Sequence, residues 1–223
     1  VEDGKQPLVL TPARPNLLRD QVVAAIRAAI LEGRVKAGEW LNEEEFCRQL
    51  GVSRSPFREA LRQLEQEGLV VAVPHRGAMV ARLTRRDAQE LYGLRAALES
   101  YAAEQLAARG GSLAELQALV DAMAAARAAG EARDLVELDL QFHARLCELS
   151  GNSLLARTHR GLIDRIRLLY HVAGLPITQH RDYPERHQHI VDAIASADPH
   201  RIAQVVRAHL DDAAQDVARR LES

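Results

Sequence analysis

Four residues in the second half of the chain have the types and spacing of a metal-binding set. Asp139 and His143 stand four apart, so a helix through them presents both on one face. His187 and His209 fall on two later helical segments, on either side of a turn near Ala197-Asp198. His187 lies ten residues before Ala197 and His209 eleven after Asp198. In an antiparallel hairpin, equal distances from the turn put two side chains at one level. Three imidazoles and one carboxylate make a borderline donor set, suited to Zn²⁺, Ni²⁺, Mn²⁺ or Fe²⁺, with positions left open for water or a ligand. Such a centre can activate water, hold a ligand or staple a bundle. His159, His171, His180, His189 and His200 show no such partnership and read as capped or solvated; His189, two residues from His187, points to a different face.

A second set carries a different chemistry. In residues 41–70, LNEEEFCRQLGVSRSPFREALRQLEQEGLV, Arg54, Arg58 and Arg62 recur at i, i+4 and i+8 near the start of one helix. Arginine can bind guanine edges bidentately or grip phosphate, and Ser53 and Ser55 can reach the backbone of a duplex. The bland reading is a solvated helix whose arginines pair with Glu59 and Glu65. The surrounding elements favour the first reading. Asn42 can cap a helix over 43–50 and Gly51 can end it; Ser53 can cap the next, with Pro56 in its first turn. Two short apolar runs, 69–73 and 78–81, flank Pro74-His75-Arg76-Gly77. They predict a β-hairpin whose basic tip offers Arg76 to phosphate and whose Gly77 permits close approach. An amphipathic helix over 17–33 can cover this unit through Val22, Val23, Ile26 and Ile30.

Composition bounds the rest. The 223 residues are 47% hydrophobic but only 4% aromatic, which favours Ala- and Leu-based helix packing. Net charge is −2, and residues 15–81 hold nine Lys+Arg against nine Asp+Glu. Attraction to a polyanion must therefore come from local clustering, on the Arg54 helix, the hairpin tip and the basic linker Arg82, Arg85 and Arg86, and tight binding needs two copies on a two-fold site. Cys47 and Cys147 show no disulfide pattern and read as buried thiols of a reducing cytoplasm. No apolar run approaches a membrane span and no signal peptide is seen. Residues 1–14 are expected to be a tail.

From residue 85 the chain reads as helical throughout. Thr84, with Asp87 three residues on, can cap a helix over 85–109 whose apolar stripe is Leu91, Leu94, Leu98, Ala102 and Leu106. Further helices start after Ser112, span 131–150, start at Asn152-Ser153, and span 185–196 and 199–221; Pro176 and Pro184 bracket a connector. Six helices with short links predict an antiparallel bundle over 87–221.

SRSPFREALRQLEQEGLV followed by PHRGAMV resembles the DNA-binding domain of the GntR family of bacterial transcription regulators, over about residues 15–81. Residues 87–221 resemble the FCD effector domain of its FadR subfamily through LRAALE, D-x-x-x-H, SGN, H-x-x-I-x-x-A-I and the late His209. The resemblance implies a winged helix-turn-helix, a linker at 82–86 and an all-helical bundle. It implies operator contacts at Ser53, Arg54, Ser55 and Arg58, and a metal, zinc first, on Asp139, His143, His187 and His209. It also implies a small carboxylate effector on Arg95, with Asn152 as a further polar contact. One departure stands out: position 44, often arginine in this family, is Glu44, so this residue either reads a cytosine amino group or keeps its helix away from phosphate. The expectation is a non-enzymatic, cytoplasmic homodimer on a pseudo-palindromic double-stranded operator, a repressor released by its effector, with no membrane partner. A regulator whose metal is structural or is itself the signal, and a metalloenzyme, are the alternatives.

Overall fold

The computed structural model describes residues 17–174 and 183–221. The expected tail at 1–14, Pro176 and His180 lie outside the described residues. The N-terminal unit begins with α1 (Leu17–Leu31), which buries Val22, Val23, Ile26, Ala29 and Ile30 at helical spacing. In α2 (Glu43–Leu50), Asn42 Oδ1 accepts the Glu45 N–H at 3.1 Å, and Gly51 closes the helix at φ +66°. The following helix, α3 (Arg54–Gln66), buries Phe57, Ala60 and Leu64, and Phe57 meets Phe46 of α2 at 5.8 Å between ring centroids. Ser53 holds the N-cap position, yet its hydroxyl makes no capping bond.

The hairpin pairs β1 (Val70–Val73) with β2 (Gly77–Val80) in antiparallel register, Val70 opposite Val80 and Val73 opposite Gly77. A bridge from Trp40 to Met79 and the Leu41 N–H bonded to the Ala78 carbonyl at 2.8 Å tie the hairpin to the segment before α2. The Arg76 guanidinium stacks over Trp40 at 5.6 Å, which braces the tip. This is the architecture of a winged helix-turn-helix.

The second unit is all helical: α4 (Arg85–Ala108), α5 (Ala114–Ala129), α6 (Ala132–Leu149), α7 (Ser153–Arg160), α8 (Ile163–Ala173), α9 (Tyr183–Ala195) and α10 (Pro199–Ala218). Thr84 and Asp87 form the expected capping box. The longest interface joins α4 to α10, and α5 packs on α6 and α9. Pro184 stands one residue inside α9, at the end of the expected connector, in a first turn where a proline's missing N–H goes unused. Two expectations need correction. The segment from Asn152 is two helices, because the chain breaks at Gly161-Leu162, where glycine is a poor helix former. The buried face of α4 runs through Leu91, Tyr92, Arg95, Ala96, Glu99 and Ala103, leaving Leu94 45% exposed. An all-apolar stripe was the wrong template for a helix whose inner face is partly ionic. Cys147 is buried, whereas Cys47 is only half-buried.

The two units share one continuous apolar cluster. Helix α8 packs against α1, where Arg27 pairs with Asp164 at 2.8 Å and also with Glu67. The His171 ring occupies the space over Gly33 (φ +72°), which a Cβ would fill, and Arg165 lies over Gly68.

Candidate metal centre and nucleic-acid interface

Asp139, His143, His187 and His209 converge inside the bundle, each offering one ligand atom within 4.8 Å of the others. Asp139 and His143 come from one face of α6, His187 from α9 and His209 from α10. His187 and His209 meet at 4.6 Å between ring centroids, as equal distances from the turn require. Asp139, His143 and His187 are buried, and His209 is half-buried at the cavity wall.

The tautomers follow from the neighbours. His143 Nδ1 lies 2.5 Å from Glu99 Oε2, and His187 Nδ1 lies 2.9 Å from the Tyr183 carbonyl. A carboxylate and a carbonyl only accept, so both Nδ1 atoms carry the proton. The two Nε2 lone pairs then face Asp139 Oδ1, at 3.4 and 3.1 Å. Acceptors facing one another in a dry interior call for a cation between them: a proton on imidazole Nε2 in the metal-free protein, or a metal that displaces it. The donor set therefore fits a divalent ion.

Electrostatics agree. Burial would raise the Asp139 carboxyl, but the charge of His143 and hydrogen bonds from His143 and His187 outweigh it and hold it well below the usual carboxylate range. Burial likewise opposes Glu99, which His143 and Arg95 nevertheless hold well below its ordinary value. His143 is raised: burial works against its charge, and Glu99 and Asp139 prevail. His209 is lowered well below the ordinary imidazole value by burial and by its neighbours His187 and His143. Burial pushes Tyr92 up to about 12 and raises Tyr170 well above its ordinary value, so both stay protonated donors.

A cavity of about 40 Å³ adjoins the ligands, walled by Tyr92, Arg95, Tyr170, Tyr183 and Arg186 among others. Arg95 is buried; its Nε donates to Glu99 Oε1 at 2.9 Å, while its Nη2 has no hydrogen-bond partner among the described residues. A buried guanidinium with a free donor beside a cation-binding set suits a carboxylate. Tyr92 donates to the Tyr170 hydroxyl at 3.0 Å, and Tyr170 donates to Asp139 Oδ2 at 3.1 Å. A larger cleft of about 860 Å³ between α1, α6 and α8 shares Tyr170 but contains no metal ligand. Its arginines, Arg27 and Arg167, are already paired with Asp164 and Glu137.

Asn152 lies elsewhere: its Oδ1 accepts the Leu155 N–H at 3.1 Å as the cap of α7, and it does not line the cavity. Sequence reasoning offered Glu99 only as a salt-bridge partner for Arg95, gave it no part beside His143, and missed His159. His159, expected to be capped or solvated, is fully buried, with Nε2 2.9 Å from Glu99 Oε1. The i, i+4 spacing of Arg95 and Glu99 was the one available signal for the former; His159 had none. His171, His189 and His200 are exposed.

On the winged unit, Arg54 and Arg58 project from the first turns of α3, exposed, and both pair with Glu43 of α2, at 3.3 and 3.0 Å. Their partner is thus across the motif, and neither Glu59 nor Glu65 takes that place. Ser55 donates to Glu59 at 3.1 Å, and Ser53 is exposed with its hydroxyl outside the capping network. Arg76 and Gly77, at φ +99°, form the exposed wing tip, and a Cβ at Gly77 would meet nothing. Glu44 is exposed on α2. Among the described residues, no helix is long and apolar enough to cross a membrane.

The sequence matches the family described as "Bacterial regulatory proteins, gntR family" over residues 18–80 and the FCD domain over residues 90–212. It is 34% identical over 177 residues to the "Nta operon transcriptional regulator" of Aminobacter aminovorans, covering 78% of this chain and 82% of that one. It is 30% identical over 204 residues to the "Probable D-xylose utilization operon transcriptional repressor" of Paenarthrobacter nicotinovorans, covering 87% and 90%. The solved structure of a protein assigned as a GntR transcriptional regulator from Rhodococcus sp. RHA1 superposes with a TM-score of 0.77 at 27% identity, over 89% of this chain and 96% of that one. With a winged helix-turn-helix at one end and this bundle at the other, the chain belongs to the gntR family and is a DNA-binding transcriptional regulator, not an enzyme, with a C-terminal FCD domain.

Proposed function

We propose that the protein is a metabolite-responsive repressor of the cytoplasm, a homodimer that holds a pseudo-palindromic operator until a small organic acid binds in the FCD domain. One observation carries this reading: three of the four metal-ligand side chains, Asp139, His143 and His209, line the same small cavity as Arg95, whose Nη2 has no hydrogen-bond partner among the described residues. A divalent ion held by Asp139, His143, His187 and His209, zinc foremost, would supply Lewis-acid attraction for a carboxylate oxygen. Arg95 binds the second oxygen. The D-xylose relative, named for the operon it represses, supports a metabolic signal.

The DNA-binding unit, residues 15–81, reads the operator through Arg54 and Arg58, with Ser53, Ser55, Arg76 and Gly77 on the backbone. Phosphate competes with Glu43 for the two arginines. Two copies place their α3 helices in successive major grooves. The exposed Leu94 and Tyr101 on α4, with the half-buried Leu98 between them, support pairing of the bundles.

An acid larger than the 40 Å³ cavity must displace its walls. Tyr170 forms part of both the cavity and the cleft against α1, so its displacement moves α8. That helix carries Asp164 and His171 to α1, and Arg165 to the end of α3. Together with the 82–86 linker it transmits the signal. A coupling of about 1–3 kcal/mol, roughly 5–150-fold in operator affinity, is sufficient.

The test is fluorescence anisotropy on a duplex selected by the protein from a random library, titrated with small organic acids with and without a chelator. One acid should release the duplex only while metal is present. Release by chelator alone, with no acid active, would replace this reading with a structural or sensed metal, which the burial of the ligands would suit. Tighter binding with the acid would overturn release of the operator as the mechanism.

A further inference from the structure

We infer that Glu99 is the positioning residue of the metal centre: its carboxylate fixes the proton of His143 on Nδ1 and so presents Nε2 as a lone-pair ligand. The inference rests on the metal reading proposed above. Glu99 is fully buried on α4 and lines neither the cavity nor the surface. Three donors meet it. Arg95 Nε and His159 Nε2 reach Oε1, each at 2.9 Å, and His143 Nδ1 reaches Oε2 at 2.5 Å.

An ionised carboxylate has no proton to give, so all three partners must donate. Apolar packing alone would be served as well by leucine, and a buried carboxylate is costly unless every lone pair is used. Here one carboxylate sets the ring orientation of a ligand and the aim of Arg95, a cavity-lining residue whose Nη2 has no hydrogen-bond partner among the described residues. Outer carboxylates that orient ligating imidazoles act in this way in metal sites generally.

Glu99→Gln keeps the shape and reverses half of the pattern. Arg95 can never accept, so the glutamine carbonyl must take the Oε1 position facing Arg95 and His159. The amide NH₂ then meets His143 Nδ1. That nitrogen has to accept, its proton moves to Nε2, and the ligand lone pair disappears from the centre. If Glu99 were only the counter-charge of Arg95, the same substitution would leave His143 unaffected.

The experiment uses the full chain, ¹⁵N-labelled and metal-free, at about pH 9, where imidazoles are neutral. Imidazole ¹⁵N shifts report the tautomer, and Zn²⁺ affinity is read against a competing chelator. In the wild type, His143 should carry Nδ1–H. In Glu99→Gln it should carry Nε2–H, with Zn²⁺ affinity lower by about 10–100-fold. His159→Phe, which removes one donor and keeps the Glu99–His143 bond, should stay within about threefold of wild type, well inside that loss. Wild-type His143 protonated on Nε2, or a folded Glu99→Gln with wild-type Zn²⁺ affinity, overturns the inference. The wild-type tautomer decides it even where the variant fails to fold. A wild type that binds no Zn²⁺ at all overturns the metal reading instead, and the two failures are distinguishable.

Discussion

His143 and His209 differ in what they ask of a metal. His209 is held neutral by burial and by its neighbours His187 and His143, so it has no proton to lose. His143, raised by Glu99 and Asp139 against the effect of burial, keeps its second proton to a higher pH than an ordinary imidazole. Asp139 stays anionic across that range. A metal must therefore displace a proton from His143, and affinity should fall by about tenfold per pH unit once pH drops below the His143 midpoint. Retention measured by equilibrium dialysis should therefore begin to weaken while the pH is still above the ordinary imidazole midpoint of about 6.5 and keep falling below it; a flat profile to pH 5 would argue for different ligands. His143→Ala or His209→Ala should each reduce bound metal below one ion per chain by elemental analysis. Full occupancy in both would remove the site.

At the scale of elements, the short signals were legible and the ionic interior was not. Asn42, Gly51 and Thr84-Asp87 fix helix ends through local chemistry, and each stands where its side chain predicts. The levels of His187 and His209 followed from geometry, since helices of equal reach from one turn meet side by side. The α4 stripe misled because Arg95 and Glu99 satisfy each other inside the bundle, which no count of leucines reveals. His159 is likewise buried by a partner 60 positions away in sequence. On α3, Phe57 is fully buried and Arg58, its neighbour, is exposed. Arg54→Ala or Arg58→Ala should thus leave unfolding unchanged and cost operator binding roughly 1–3 kcal/mol with relaxed selectivity. Unaltered footprints would withdraw the recognition-helix assignment. Phe57→Ala should do the opposite, destabilising the winged unit by roughly 3–5 kcal/mol.

At the scale of the molecule, the winged unit and the bundle meet through α8 as well as through the linker, and Tyr170 places that helix at the cavity wall. The account also requires a second copy, with Tyr101, 48% exposed on α4, on the surface that pairs. Tyr101→Asp should shift sedimentation toward monomer and weaken operator binding while leaving metal content intact; an unchanged dimer would locate the interface elsewhere. The most direct measurement is a thermal-shift screen of the metal-loaded protein against small organic acids, repeated after chelation. The account predicts a concentration-dependent rise in Tm for one acid that vanishes when the metal is removed. A fall in Tm on chelation with no response to any acid would contradict it, and would leave the metal as a staple or as the signal itself.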